Sequence, residues 1–305
     1  MKRTRGNQAG LLALTLVLLL LPAFRGAGLE LSTRFELGNL AFDPDRAALD
    51  ATFSGAEYYW GGTVEVTHGF SERMALRAGF TRDTVLRNLA YAMIYYNLDY
   101  LSMGVGTIQG FNNTNGATLK PGLASSVQLS FPGVMFARLL FDYSLGSVLM
   151  ETGDYTQNRN ELTVGFYVPN AICSLTLQSK KFYELQAAEA VVDSLMRYSF
   201  TADIFQKNAP YRLLFSLAYQ TLQKKFVVAD TVHTLSSLMA GVELAIDLTR
   251  FLTVELGADS ALFTFGEDQL AGLQNPAPGG YLFQAYTGFT LKFENLKNRR
   301  PPAGD

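Results

Sequence analysis

Between Leu29 and Phe293 the chain repeats one pattern, in which apolar and polar residues take turns along short segments separated by polar breaks. A period of two is that of a β-strand with one oily and one wet face, because successive side chains point to opposite sides. In the last segment, Gly280 to Phe293, the residues Tyr281, Phe283, Ala285, Thr287, Phe289, Leu291 and Phe293 make the largely apolar face. Gln284, Tyr286, Gly288, Thr290 and Lys292 lie on the other. In the first segment Leu29, Leu31, Phe35 and Leu37 oppose Glu30, Ser32, Arg34 and Glu36. Similar segments fill the interval, and the count is about fourteen strands, or 12 if Leu89 to Phe111 is one irregular unit.

The breaks alternate in length. Asn97-Leu98-Asp99, Pro132-Gly133, Pro169-Asn170, Asn208-Ala209-Pro210 and Thr249-Arg250 are tight turns. The stretch from Asp43 to Ala56, Asn112 to Gly116, Gly153 to Asn160 and Gly266 to Gly280 read as longer polar loops, and the Ala/Glu-rich Leu185 to Val192 as a helical turn or two over a loop. Short turns on one side and long loops on the other mark a transmembrane barrel. An even strand count returns the C-terminus to the N-terminal side, so the last strand pairs with the first and no edge is left to meet lipid. The expected fold is all-β, a closed antiparallel transmembrane β-barrel.

A soluble sandwich also alternates, so the direction of the faces needs its own argument. The repeats run nine to thirteen residues, longer than the five or six usual in sandwiches. Aromatic residues gather at segment ends, as in Tyr58-Tyr59-Trp60, Tyr95-Tyr96, Tyr211 with Tyr219, and Tyr281 with Phe293, where a membrane barrel carries its interfacial girdles. The wet faces hold charges of both signs: Glu36, Glu65, Asp142, Asp203, Glu243, Glu255 and Asp259 against Arg34, Arg77, Arg138, Lys180, Arg197, Arg212 and Lys292. A dry core would accept them only in pairs, whereas a wet lumen hydrates them. These fourteen residues are the expected lumen lining, in a backbone cylinder roughly 25 to 28 Å across.

The N-terminus adds a targeting segment. Lys2, Arg3 and Arg5 precede the Leu-rich stretch from Leu11 to Leu21, and Gly26-Ala27-Gly28 supplies the small residues of a cleavage site. That apolar run is too short for a membrane-crossing helix, which needs about 20 residues. Residues 1–28 are therefore read as a signal peptide for the Sec pathway, 29–293 as the barrel and 294–305 as a disordered periplasmic tail. The whole chain has 305 residues, 48% hydrophobic and 17% charged. Removing four basic residues with the signal leaves 21 basic against 27 acidic, a formal charge of −6. Such a chain has no basic face for nucleic acid, and its single Cys173 excludes an internal disulfide framework.

Convergent chemistry is sparse. His68 reads as an interfacial residue, and His233, beside Thr234 and Ser236, has no second His or spaced carboxylate to make a catalytic set. Gly104-Val105-Gly106 lacks the strand-to-helix context of a phosphate loop and reads as close strand contact. Asp43, Asp45 and Asp50 read as a solvated loop rather than a Ca²⁺ site, and Cys173 as a lipid-facing thiol. No enzyme activity, metal or cofactor is expected.

The strand pattern of the mature chain resembles bacterial outer-membrane porin-like barrels of monomeric size. The elements Leu119-Lys120-Pro121-Gly122 and Phe131-Pro132-Gly133, set among aromatic strands, also resemble spirochaete outer-membrane barrels. The resemblance implies a diderm outer membrane, lipid and the barrel-assembly machinery as partners, and a monomer rather than a trimer. Such barrels end on an aromatic residue read during assembly. Here Phe293 is followed by a polar tail, so Phe289, Leu291 and Phe293 would serve as an internal assembly signal. The expected function is passive diffusion of small hydrophilic solutes through a mixed-charge, mildly acidic lumen. A surface-exposed structural or adhesin-type barrel with a plugged lumen is the alternative.

Overall fold

A computed structural model describes residues 28–38, 59–112, 118–145, 151–206, 209–266 and 283–293. Among these residues fourteen strands follow one another in chain order. They are β1 (Leu29–Gly38), β2 (Tyr59–Gly69), β3 (Met74–Asp83), β4 (Arg87–Asn97), β5 (Leu101–Asn112), β6 (Thr118–Phe131) and β7 (Met135–Ser144), then β8 (Tyr155–Val168), β9 (Ala171–Leu185), β10 (Ala190–Phe205), β11 (Tyr211–Phe226), β12 (Thr231–Thr249), β13 (Leu252–Gly266) and β14 (Phe283–Phe293). Each pairs antiparallel with its sequence neighbours, and β1 pairs with β14 to close the barrel. That seam runs from Leu29 opposite Phe293 to Gly38 opposite Gln284. The closure and the count of fourteen are as the periodicity predicts, and the twelve-strand alternative fails because Leu89 to Phe111 lies on two full strands, β4 and β5.

The outer surface is apolar. Val105, Leu119, Leu175 and Phe263 are each about 60% exposed or more, and large hydrophobics like them recur on the outward parity of every strand from β4 to β13. In water this surface would be an aggregation liability; against acyl chains it is the favourable arrangement. Aromatic contacts lie at its margins. Trp60 stacks on Phe35 with ring centroids 6.5 Å apart and carries Arg82 over its face at 3.9 Å. At the tight-turn end, Tyr100 stacks on Phe131 and His68 meets Phe70 edge-on. Tyr95 departs from the predicted girdle: it turns inward under Arg77, and Gly104 on β5 leaves room for its ring, since a Cβ there would come within 2.7 Å of it.

The wall is uneven in height. β1 and β3 have ten residues, enough to cross hydrocarbon at a tilt, whereas β10 and β11 have 16 and β12 has 19. Along β11 the apolar parity changes. Phe215, Leu217 and Tyr219 face outward, but beyond them the outward residues are Thr221, Gln223 and Lys225 while Leu222 and Phe226 face in and are buried. The lower part of the strand is built for lipid and the upper part for water, with its core moved inside. The same reversal puts Phe182 of β9 inside at 0% exposure, stacked on Tyr155 of β8.

Two sequence expectations fail for this reason. Gly153 to Asn160, read as a loop, contains the first six residues of β8, whose outward residues Thr156, Asn158 and Asn160 are polar because that end has no lipid to face. Leu185 to Val192 is not helical; β9 and β10 join there through a tight turn closed by Gln186 N–H to Glu189 C=O at 2.7 Å. The signal peptide, the tail and most of the loops Asp43 to Ala56 and Gly266 to Gly280 lie outside the described residues.

Candidate functional site: the barrel lumen

Strand parity brings every one of the fourteen charged residues picked from the sequence into ion pairs. On one side of the interior, Arg34 of β1 meets Glu36 at 3.3 Å and reaches Glu243 of β12 at 3.5 Å. Strands β14 and β13 separate β1 from β12, so this contact runs across the inside of the cylinder. The Arg34 guanidinium also lies 3.5 Å over the Tyr286 ring. Arg212 sits between Asp203 at 3.5 Å and Glu255 at 3.8 Å, and Arg197 is 3.8 Å from Asp259. On the other side Arg77 pairs with Glu65, which accepts a hydrogen bond from the Tyr91 hydroxyl. Arg138 holds Glu161 at 2.7 Å, and Arg159 donates from Nε to Asp142 at 2.7 Å. Lys180 holds Asp83 at 2.8 Å, and Lys292 approaches Glu30 at 4.0 Å near the seam's end.

Exposure of these pairs is graded along the axis. At the tight-turn end the side chains of Lys292, Arg212 and Arg138 are 55%, 49% and 40% exposed. Toward the opposite end Asp142, Glu184 and Asp193 fall to 1% each. A charge on a half-exposed arginine keeps its water, whereas the buried carboxylates depend on protein partners. The interior is thus a wet vestibule at one end and a packed core at the other.

The packed end is made by the connection between β3 and β4. Only Thr84, Val85 and Leu86 separate the two strands, and this turn folds into the lumen. The carboxylate of Asp83 accepts the backbone N–H groups of Val85 at 2.9 Å and Leu86 at 2.6 Å, which closes the turn. Arg87 leaves it with φ at 62°, a left-handed conformation uncommon for a side-chain-bearing residue. Val85 belongs to a buried cluster with Ala218 and Leu222 of β11 and Leu235 and Met239 of β12. Leu86 belongs to another, with Leu89 and Met93 of β4, Ile108 of β5 and Ala124 of β6. These walls face each other, so two adjacent side chains bridge the barrel.

Polar contacts hold the turn at further points. Lys180 of β9 anchors Asp83, and Gln157 of β8 donates from Nε2 to the backbone carbonyl of Leu86. The Arg87 guanidinium lies 4.4 Å over the Phe182 ring, with Glu184 at 3.6 Å and Asp193 at 3.7 Å. Glu184 also accepts Asn112 Nδ2–H at 3.0 Å.

A wholly polar lumen is therefore not what the chain builds: around the β3–β4 turn the interior carries aliphatic packing. Asp83, Arg87, Glu184 and Asp193 were missed as interior residues. Two signals could have found them. The faces of the segment from Leu89 to Tyr96 are poorly separated because its inward side, Leu89 and Met93, packs on the turn. Val85-Leu86, flanked by Asp83 and Arg87, is also an apolar pair in a turn position where polar residues are usual. The proposed assembly residues Phe289 and Phe293 lie on the outward face of β14, 39% and 48% exposed, and Leu291 beside them is half-buried.

Above the wall, the Glu189 carboxylate clasps two neighbouring turns. It accepts N–H groups from Ala190 at 2.8 Å, Val228 at 2.6 Å and Ala229 at 3.0 Å. Desolvation pushes its carboxyl up, but these backbone donors together outweigh it and hold it below the usual carboxylate range.

No protein-family model matches the chain, and a search of curated proteins gives no match. Among solved structures, an outer membrane channel from Pseudomonas putida F1 aligns with a TM-score of 0.49 at 7% identity over 88% of this chain and 96% of that one. A bacterial polysaccharide outer membrane secretin aligns with a TM-score of 0.44 at 13% identity over 87% and 98%. OmpF of Salmonella typhi aligns with a TM-score of 0.44 at 10% identity over 87% and 97%. At these scores the functional reading rests on the chain's own geometry.

Proposed function

We propose that the protein is a monomeric outer-membrane channel for small hydrophilic solutes, in which the β3–β4 turn forms a gate. One observation carries the reading: a charge-lined interior, wet at the tight-turn end, is enclosed by an apolar outer face and interrupted by a three-residue turn that no backbone ladder ties to the opposite wall. The wet end accepts hydrated solutes. Passage requires the turn to withdraw, breaking the Lys180–Asp83 and Arg87–Glu184 pairs and lifting Val85 and Leu86 out of their clusters. The acidic balance of the mature chain favours cations over anions. In this reading the exported chain is folded by the outer-membrane assembly machinery, surrounded by lipid, and performs no catalysis.

The second reading is a structural or adhesin-type barrel that passes nothing. The dry packing around Val85 and Leu86, at 2% and 1% exposure, favours it. Liposome swelling with arabinose separates the two. Refolded protein should admit the sugar slowly and the Asp83→Asn variant, with one anchor of the turn weakened, faster. If neither admits it and neither gives conductance steps in a planar bilayer, the channel reading fails and the anchoring barrel stands.

A further inference from the structure

The turn is bound as a ligand is bound. Its two aliphatic side chains enter separate apolar pockets on facing walls, its backbone carbonyl at Leu86 accepts from a buried amide of Gln157, and its flanking charges are met by Lys180 and by Glu184 with Asp193. Each pocket is aliphatic on the inward face of a barrel whose other inward residues are mostly charged or hydroxylated. Leu222, Leu235 and Met239 on one wall, and Leu89, Met93 and Ile108 on the other, would meet water if the turn left with nothing to replace it. Exposing apolar surface of this extent is unfavourable. A molecule that presents the same groups in the same order relieves that cost and so favours the withdrawn state.

From this we infer that the lumen holds a binding site for short peptides bearing adjacent aliphatic side chains between an acidic and a basic residue, and that the β3–β4 turn occupies it as an internal stand-in. The inference deepens the channel reading and rests on it: the peptide is both the solute and the key. Two pockets specify two aliphatic side chains, and a sugar or an inorganic ion offers nothing to fill them. Gln157 specifies a backbone-like carbonyl, being 1% exposed with its amide turned onto Leu86 and, at 3.5 Å, onto Asn88. When the turn leaves, Asp83 and Arg87 leave with it. Lys180 then faces the site from β9, and Glu184 and Asp193 face it from β9 and β10, with buried Lys224 on the inward side of β11. The vacated site carries both signs at separate points, as a peptide with charges at both ends does.

The test uses the full mature chain refolded in detergent and a fluorescein-labelled peptide of sequence Asp-Thr-Val-Leu-Arg, with Asp-Thr-Ser-Ser-Arg as its control. Fluorescence anisotropy is read for the wild type, for Val85→Ser/Leu86→Ser, which weakens the internal competitor, and for Asp83→Asn, which loosens it without altering either pocket. The Val-Leu peptide should bind the double variant at least ten times more tightly than the wild type, with Asp83→Asn between them. The Ser-Ser peptide should bind at least ten times more weakly to all three. Adding Gln157→Leu to the double variant should weaken the Val-Leu peptide by about tenfold. Equal affinity for the two peptides, or no binding to either variant while heat-modifiable migration shows a folded barrel, would overturn the inference. If the double variant does not fold, Asp83→Asn alone decides. Arabinose swelling on the same samples keeps the two readings apart: swelling without peptide binding sinks only the peptide site, and peptide binding without swelling sinks the channel and the peptide's role as its solute while the binding site stands.

Discussion

Truncating Leu86 to Ala tests the gate without touching any charge. Leu86 is 1% exposed and packs with Leu89, Met93, Ile108 and Ala124. Leu→Ala changes in packed sites cost about 2 to 5 kcal/mol, with the low end where the surroundings or water can refill the space. The lumen below is wet, so about 2 to 3 kcal/mol is the reasonable range here. That loss falls on the docked turn alone, because none of the backbone pairs that close the barrel involves Leu86. At 1.4 kcal/mol per factor of ten, the population of withdrawn turns should rise roughly 30-fold to 150-fold. Two measurements read it: amide exchange at residues 84–86 by mass spectrometry, and open probability in a planar bilayer. Both should rise by that factor, and the free energy of urea unfolding should fall by no more than the same amount, about 2 to 3 kcal/mol, since the docked state remains the dominant native form. Val105→Ala, on the lipid face, should change neither. If Leu86→Ala left exchange and open probability at wild-type values, the turn would be a fixed part of the wall and the gate would be wrong.

Further expectations follow from other parts of the barrel. Arg159→Leu should destabilise it by about 3 to 5 kcal/mol in urea unfolding, because Asp142, 1% exposed, loses its partner at 2.7 Å; Asp142→Asn in the same chain should recover most of that, and no recovery would show that packing rather than charge was lost. The Glu189 clasp holds a carboxyl whose pKa is depressed on folding, so its contribution is complete above the unfolded value near 4.5 and fades as pH falls through the lower, folded one. Proteolysis of the turn from Val227 to Asp230 should therefore speed up at acid pH in the wild type and be fast but pH-independent in Glu189→Gln. Phe293→Ala should lower the amount of heat-modifiable barrel recovered from membranes while leaving refolding in detergent intact; equal recovery would remove the assembly role. Mass spectrometry of the exported protein should find Leu29 as its first residue, and an intact leader would refute cleavage after Gly28.

Most of the architecture was legible because lipid imposes a simple rule. Phe215, Leu217 and Tyr219 had to face outward, and a period of two then assigned Arg212, Ser216 and Gln220 to the inside. The rule stops where lipid stops. Thr156, Asn158 and Asn160 stand clear of the apolar belt on an upper wall whose core is Tyr155 and Phe182, so a true strand looked like a loop. The inward fold of the β3–β4 turn was hard to read for a related reason. Val85 and Leu86 are two apolar residues in a turn, and Val85's partners Leu222, Leu235 and Met239 lie more than 130 positions away. The local signs of which way the turn points are faint: the blurred faces of Leu89 to Tyr96 and the apolar pair itself. The ion pairs were legible as a class but not as partners, since Arg34 with Glu243 joins residues 209 positions apart.

The plain up-and-down order of the strands has one last consequence. Leu29 lies directly opposite Phe293, so the first and last strands meet as any hairpin's do. The covalent break between them is an accident of numbering as far as the cylinder is concerned. A permuted chain, joined across those ends and opened instead at Pro169-Asn170, should refold in detergent to the same shape with β9 as its first strand and β8 as its last. In cells it would present a different terminal strand to whatever guides insertion, and comparing the two settings would separate what the sheet itself demands from what its escort reads.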